Sequence, residues 1–261
     1  MQLKLEGQTA MISGASKGIG ARIAHSLAAQ GVNLSISARD GETLGRTADR
    51  LRDKYKIDCL AIAGDMGDQQ FIEDWTAKTA ETFKKIDVLI NNAGSSPPGG
   101  FDTQTDDEWQ DAFKVKPFGY IRAARAALPY LKETKGRIVN IIGLAGHQPL
   151  PKFFIGGAGD GALMNFTKSL ADDVAAFGVR VNAISPGFTR TERWEVLVAG
   201  SGAMMGVSPE QAEKALLSSM PLGRPAEMEE IASTVLFLVS GMSSYITGVT
   251  IPVDGGATRS I

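Results

Sequence analysis

The chain of 261 residues has one cysteine, Cys59, so no intramolecular disulfide can form, and a reducing cytoplasm is the expected setting. Cys59 lies in an apolar run and reads as a small core residue. No apolar run reaches the roughly 18 residues needed to span a bilayer, and the N-terminal MQLKLEGQTA lacks the apolar stretch of a signal peptide. A formal net charge of −2 argues against a nucleic-acid or membrane surface as partner and leaves a small molecule. Only two histidines occur, His25 and His147, and no metal site is expected. Two further gaps matter below. No tyrosine falls between Leu131 and Ser244, and no serine between Pro97 and Lys168.

What is present is an ordinary globular mixture, 43% hydrophobic and 21% charged, enough for one large α/β domain. Short apolar runs at Thr9–Ser13, Asn33–Ser37, Cys59–Ala63, Val88–Ile90, Arg137–Ile142, Arg180–Ser185 and Thr250–Val253 are rich in β-branched residues and mostly lack alternation. Such runs suit strands buried on both faces. Helical patterns separate them, at Gly18–Gln30, Thr43–Lys54, Gln70–Phe83, Pro117–Lys132, Ala162–Ala176 and Glu227–Val239. This alternation predicts one Rossmann-type domain over 1–261, a doubly wound parallel sheet of seven strands with helices on both faces. The acidic clusters Asp106-Asp107-Glu108 and Glu227–Glu230 are read as helix starts. The weakly patterned stretch of about 192–222 is expected to be a substrate lid with short helices of its own.

Ser13–Gly20 reads SGASKGIG, directly after the first strand and opening the first helix. Glycines 14, 18 and 20 allow a tight turn, close approach of a pyrophosphate and close helix packing, with the helix N-terminus facing the anion. Ser16, Lys17 and Ile19 complete the loop. An NAD-preferring fold carries an acid at the end of the second strand. Here that place is Ala38, followed by Arg39, with Lys17 nearby. Two cations and no acid favour NADP(H) over NAD(H).

Together with Gly64-Asp65-Met66, Asn91-Asn92-Ala93-Gly94, Gly136–Ile141, Pro186–Thr191, Pro221–Arg224 and Val253–Gly256, this loop resembles the classical short-chain dehydrogenases/reductases, in their 3-oxoacyl-carrier-protein reductase branch. The resemblance spans nearly the whole chain. It implies that Asp65 and Met66 border the adenine, and that Asn91, Ala93, Gly94, Pro186 and Gly187 line the cofactor cleft. It places the Phe188 backbone and Thr191 at the nicotinamide carboxamide. It also implies a homotetramer built through helices after strands four and five.

The family's proton relay uses an asparagine, a serine, a tyrosine and a lysine. On this sequence those positions fall at Lys116, Gly143, Gly156 and Asp160, so all four members are replaced. The two gaps noted above mean that no local shift of register restores them. Phe153 and Phe154 have rings but no hydroxyl to donate. Gly156, Gly157, Gly159 and Gly161 crowd the vacated stretch. They are expected to leave a hollow beside the nicotinamide and to weaken that first helical turn.

Three polar residues fall at or near the vacated site: Lys116, His147 and Asp160. His147 suits a neutral-pH acid or base, or is a plain loop histidine. Asp160 would accept hydrogen bonds from the ribose diol, serve as a carboxylate base, or cap the helix. Lys116, held out of helical geometry by Pro117, is placed to pair with Asp160. His25 reads as structural or solvated. Phe153, Phe154, Gly156 and Trp194, with Met204 and Met205, are expected to line the substrate pocket. Two functions stay open. One is an atypical enzyme in the familiar pocket, either an oxidoreductase on a carbonyl or hydroxyl, or a lyase, isomerase or decarboxylase keeping the dinucleotide as scaffold. The other is a catalytically silent cofactor-binding subunit, completing a mixed tetramer with an active paralogue or sensing the cofactor.

Overall fold

A computed structural model describes residues 3–192, 194–218 and 220–259. In chain order the elements are β1 (Thr9–Ser13), α1 (Gly18–Ala28), β2 (Asn33–Ala38), α2 (Gly41–Tyr55), β3 (Cys59–Ala63), α3 (Gln69–Phe83) and β4 (Val88–Asn91). Then come α4 (Asp106–Val115), α5 (Phe118–Thr134), β5 (Arg137–Ile141), α6 (Phe154–Val174), β6 (Arg180–Pro186) and β7 (Thr189–Arg190). The chain finishes with α7 (Trp194–Met205), α8 (Pro209–Ser218), β8 (Ala226–Glu227), α9 (Met228–Val239) and β9 (Thr250–Val253). Seven parallel strands form one sheet in the order β3-β2-β1-β4-β5-β6-β9, and the two-residue β7 and β8 pair separately.

The missing alternation in the strands has the expected cause. Successive side chains point to opposite faces, and both faces are packed. On one, Ile12, Leu34 and Ile36 meet Ile23 and Leu27 of α1, Leu44 of α2 and Val235 of α9. On the other, Met11, Leu89 and Ile138 meet Trp75 of α3, Ala127 of α5 and Val174 of α6. The acidic clusters do start helices. Thr105 and Glu108 form a capping box on α4, and Glu227 and Glu230 one on α9.

Strand order reverses between β1 and β4, which opens a crevice beyond the carboxyl ends of the strands, where open α/β sheets bind ligands. A buried polar ladder fixes the β4, β5 and α6 side of that crevice. The Asn91 side-chain amide donates to Asn140 Oδ1 at 2.9 Å, and Asn140 Nδ2 donates to Thr167 Oγ1 at 2.9 Å. All three residues are fully enclosed.

One boundary differs from the sequence expectation. The helix predicted from Ala162 begins eight residues earlier, so all four glycines lie inside α6. The side chains that replace them, described below, explain why a helix tolerates them there.

Replacing Asn140 by leucine keeps the number of side-chain heavy atoms but leaves the Asn91 amide only its long contact to the Tyr120 carbonyl and removes the Thr167 hydroxyl's donor. The Asn140→Leu protein is expected to lose about 1–3 kcal/mol, read from urea unfolding midpoints.

Candidate functional site

The loop after β1 is shaped by its glycines. Gly14 has φ +69° and Gly18 φ +59°, both in the left-handed region that side chains avoid. A Cβ on Gly14 would come to 2.9 Å of the Ala93 Cα, and one on Gly20 would collide with the Gly14 carbonyl and the Asn92 amide. Ser13 Oγ accepts from the backbone N–H of Asn92 and Ala93 at 3.0 and 3.1 Å, and Asn92 Nδ2 donates back to the Ser13 and Gly14 carbonyls. The loop is therefore locked to the end of β4. Lys17 is the N-cap of α1 with extended backbone, no side chain caps the helix, and its first turn has no acid. Its free N–H groups thus face outward as an anion cradle.

At the end of β2, Arg39 and Lys17 are both exposed. The neighbouring Asp40 is engaged elsewhere. It caps α2, accepting from the Thr43 hydroxyl and N–H, and these bonds hold its carboxyl below the usual range. A cleft of about 540 Å³ opens between α1 and α2 beside Ser16 and Lys17, with Arg22, Arg46 and Arg50 on its walls. These arginines were not singled out in the sequence, although their 3–4-residue spacing on α2 puts Arg46 and Arg50 on one face. His25 lies in the same cleft, edge-on to Tyr55, and partial burial plus the nearby Lys54, Arg22 and Arg50 charges push its pKa down.

Further along the crevice, Asp65 Oδ1 accepts from the Gly67 N–H at 2.8 Å. Met66 is buried beneath it, its sulfur 3.9 Å from Ser37 Oγ. Gly94 has φ +144° and its Cα faces the stem of Lys116. Pro186 ends β6, and the Gly187 N–H donates to the Val253 carbonyl, with no room for a side chain against Asp254. The Phe188 carbonyl accepts from Ala226, and that of Thr191 from Trp194. Asn91 is a correction. Its side chain is fully buried in the Asn140 ladder and lines no cleft.

The four positions opposite this crevice come together. Lys116 ends α4 in extended geometry (φ −140°, ψ 110°) before Pro117, as the sequence implied. Its Nζ lies 2.7 Å from Asp160 Oδ1, with side-chain exposures of 15% and 4%. The other carboxylate oxygen, Oδ2, sits 2.5 Å from where a Cβ on Gly143 would stand. The Phe153 ring covers the place of a Cβ on Gly156. The expected hollow is therefore filled. Asp160 occupies the side-chain space of Gly143, and Phe153 that of Gly156. Gly159 backs closely on the Lys116 carbonyl, Gly157 faces Ala145, and nothing lies within 4 Å of where a Gly161 Cβ would stand.

The nearest phenol does not stand in for the missing one. Tyr120 is fully buried, its hydroxyl donates to the Ile141 carbonyl at 2.9 Å, and burial with the Asp160 charge drives its pKa well up. His147 follows a short 3-10 turn. Its backbone N–H is bonded to Leu144, and its Nε2 is buried without a hydrogen-bond partner among the described residues. Among the described residues no hydrogen bond or ion pair joins it to Lys116 or Asp160, although the preceding Gly146 packs on Asp160.

The expected apolar wall is also redistributed. Trp194 is buried against Val198 and Met220, its ring edge-on to Phe188 and its indole N–H donated to Glu213, so it packs α7 onto α8. Phe154 is half-exposed and stacks edge-on with Phe101, while Met204 and Met205 are exposed. Among the described residues no His, Cys, Asp and Glu cluster fits a metal ion, and no helix is long and apolar enough to cross a membrane.

A family model described as enoyl-(acyl carrier protein) reductase matches residues 14–258. The chain belongs to the short-chain dehydrogenase/reductase family. The NADPH-dependent reductase BacG of Bacillus subtilis is 33% identical over 97% of this chain and 99% of its own. The 3-oxoacyl-[acyl-carrier-protein] reductase FabG of Aquifex aeolicus is 32% identical over 98% and 99%. Among solved structures, L-sorbose reductase from Gluconobacter frateurii, complexed with NADPH and L-sorbose, superposes with a TM-score of 0.95 at 28% identity over the whole of both chains. For a short-chain dehydrogenase/reductase dinucleotide the glycine loop fits: Gly14 and Gly20 let it pack against the end of β4 and on itself, and Gly18, at φ +59°, leaves open space where a Cβ would stand.

Two stability outcomes follow. Lys116→Met leaves the Asp160 carboxylate buried without its partner and should lose about 3–5 kcal/mol, whereas Lys116→Met with Asp160→Leu should recover most of that. Gly156→Tyr should lose about 1–3 kcal/mol by colliding with Phe153, and Phe153→Ala should relieve it. Both sets are read by chemical denaturation.

Proposed function

We propose that the protein is an NADP(H)-dependent oxidoreductase acting on the carbonyl or hydroxyl group of a small molecule, with the family's usual proton relay replaced. One observation carries the cofactor reading. The exposed Arg39 at the end of β2 and the exposed Lys17 of the glycine loop are open to an anion, and the acid next to Arg39, Asp40, is committed to capping α2. A 2′-phosphate fits that arrangement better than a bare 2′-hydroxyl. The NADPH named for BacG and for the L-sorbose reductase complex supports the same choice.

In this reading the α1 N-terminus and the glycine loop hold the pyrophosphate, and Lys17 and Arg39 hold the 2′-phosphate. Asp65 and Met66 stand toward the adenine. Ala93, Gly94, Gly187, Phe188 and Thr191 border the nicotinamide end. When bound, the cofactor supplies the hydride. The chain itself binds and orients it, and the segment of about 192–222, with α7 packed on α8 through Trp194, closes the substrate side as a lid. The substrates named for the relatives differ, so neither the 3-oxoacyl-carrier-protein branch nor any one substrate is assigned. A cytoplasmic homotetramer is the assembly the family resemblance favours.

A second reading rests on Phe153. Its ring stands where the family's tyrosine would begin, which suits a subunit that binds cofactor without turnover, in a mixed tetramer or as a sensor.

NADPH titration followed by nicotinamide fluorescence tests the cofactor half directly. Saturation in the micromolar range is expected, and Arg39→Ala should weaken NADPH about tenfold or more while leaving NADH nearly unaffected. Absence of binding at millimolar NADPH overturns both readings. Binding without oxidation of NADPH by any carbonyl compound selects the second.

A further inference from the structure

The Lys116–Asp160 pair occupies the end of the crevice where the glycine positions removed every hydroxyl. Its two members are not equivalent. Asp160 is the deeper, with 4% of its side chain exposed against 15% for Lys116. Asp160 hangs from a buried turn of α6 and wedges Oδ2 into the side-chain space of Gly143. The Lys116 stem runs along Gly94, whose left-handed backbone at the end of β4 leaves it room. A Cβ on Gly94 would stand 3.1 Å from the Lys116 Cβ and 3.3 Å from its Cδ. The ammonium is thus carried past the mouth of β4 and stopped by the carboxylate, with its remaining donors unassigned.

The other candidate proton sources are closed off. The Tyr120 hydroxyl is spent on the Ile141 carbonyl inside the core. His147 shares no hydrogen bond or ion pair with either member of the pair among the described residues. The aromatic rings of Phe153 and Phe154 carry no exchangeable proton.

We infer that Lys116 is the group that stabilises and protonates the substrate oxygen, with Asp160 as its positioning residue. This rests on the redox reading above. Hydride arriving at the carbonyl carbon drives the C=O π pair onto oxygen. That oxygen takes a proton from Nζ, and the resulting neutral amine regains one from solvent, which the partly exposed side chain reaches. In the reverse direction the neutral amine accepts the hydroxyl proton as hydride leaves carbon. The pair inverts the usual arrangement: the cation comes from the end of α4, and its anchor from α6. Asp160 holds the ammonium in place beside the forming oxyanion, and a fixed charge aimed at developing negative charge is an effective stabiliser.

The test separates hydride transfer from proton delivery. Two probes of the same bicyclic size are used with NADPH, 1,2-naphthoquinone and 2-tetralone. Hydride delivered to one quinone oxygen pushes the electron pair through the ring to the other, giving an aromatic phenolate with no proton needed in the transition state, whereas hydride at the ketone carbon gives a basic alkoxide that needs one. Lys116→Arg keeps a cation that does not release its proton near neutrality. Lys116→Met with Asp160→Leu removes both charges together, so folding is not lost to a stranded carboxylate. Both are expected to lower kcat for 2-tetralone about 100-fold more than kcat for the quinone. Asp160→Asn should show the same split at smaller size. Equal losses on both probes, or none on either, overturn the assignment and leave the pair structural. Wild-type protein that reduces the quinone but not the ketone also overturns it, with the redox reading intact. Wild-type protein that binds NADPH but reduces neither removes the redox reading itself.

Discussion

The ion pair of Lys116 and Asp160 is the constraint around which the rest of the crevice is arranged. A carboxylate this deeply buried is tolerable only with a partner at hydrogen-bond distance, and the partner has to come from another element. α4 supplies it by ending at Lys116 in extended geometry, so that the side chain leaves the helix axis and turns toward α6. Gly94 clears its path, Gly143 leaves room for the second carboxylate oxygen, and Gly159 lets α6 close on the Lys116 carbonyl. Four backbone segments are therefore fitted to one charge pair. A side chain larger than hydrogen at Gly94 or Gly143 would press on the pair.

The cofactor end depends on a different principle. There the shape of the backbone is what the side chains preserve. Ser13 and Asn92 tie the glycine loop to the end of β4 through four hydrogen bonds. The Asn91–Asn140–Thr167 ladder fixes the next strand and α6 behind them. Because β4 and β5 belong to both arrangements, the two ends of the crevice share one rigid floor.

The fold was readable because its signals are local and repeated. The central strands are short buried runs, the starts of α2, α4 and α9 carry an acid with a cap or capping box, and the glycine loop sits at a strand–helix junction. The phosphate loop was readable for the same reason. The register that brings Lys116, Gly143, Gly156 and Asp160 together was also readable, and so was the Lys116–Asp160 pairing. What filled the vacated space was not. Phe153 precedes Gly156 by three residues, so its ring folds back over the first turn of α6, a packing choice that no spacing rule reports. Trp194 was expected at the pocket because it opens the lid segment. Its indole N–H found Glu213 instead, and a buried indole goes where its donor is satisfied. Asn91 went inward on the same logic. The α1–α2 cleft escaped notice because Arg22 on one helix and Arg46 and Arg50 on the other approach only in three dimensions.

Three of the four glycines of α6 have neighbours that account for them, and the difference between them matters. Gly156 and Gly159 are each matched to a particular neighbour, the Phe153 ring and the Lys116 carbonyl, and Gly157 to the Ala145 backbone at ordinary contact. Gly161 has open space, and nothing in the structure accounts for it. A helix interior loses about 1 kcal/mol per glycine, and here close packing against α4 and the turn after β5 offsets that loss. The same packing resolves the electrostatic problem of an aspartate beside an anionic dinucleotide. Asp160 alone would repel the phosphates across the crevice. Paired at 2.7 Å with Lys116 it presents a dipole of no net charge, and the field of a dipole falls off faster with distance than that of an isolated charge. Of the two members, the cation is the one nearer solvent, so the positive end of that dipole is the one a substrate entering the crevice meets first.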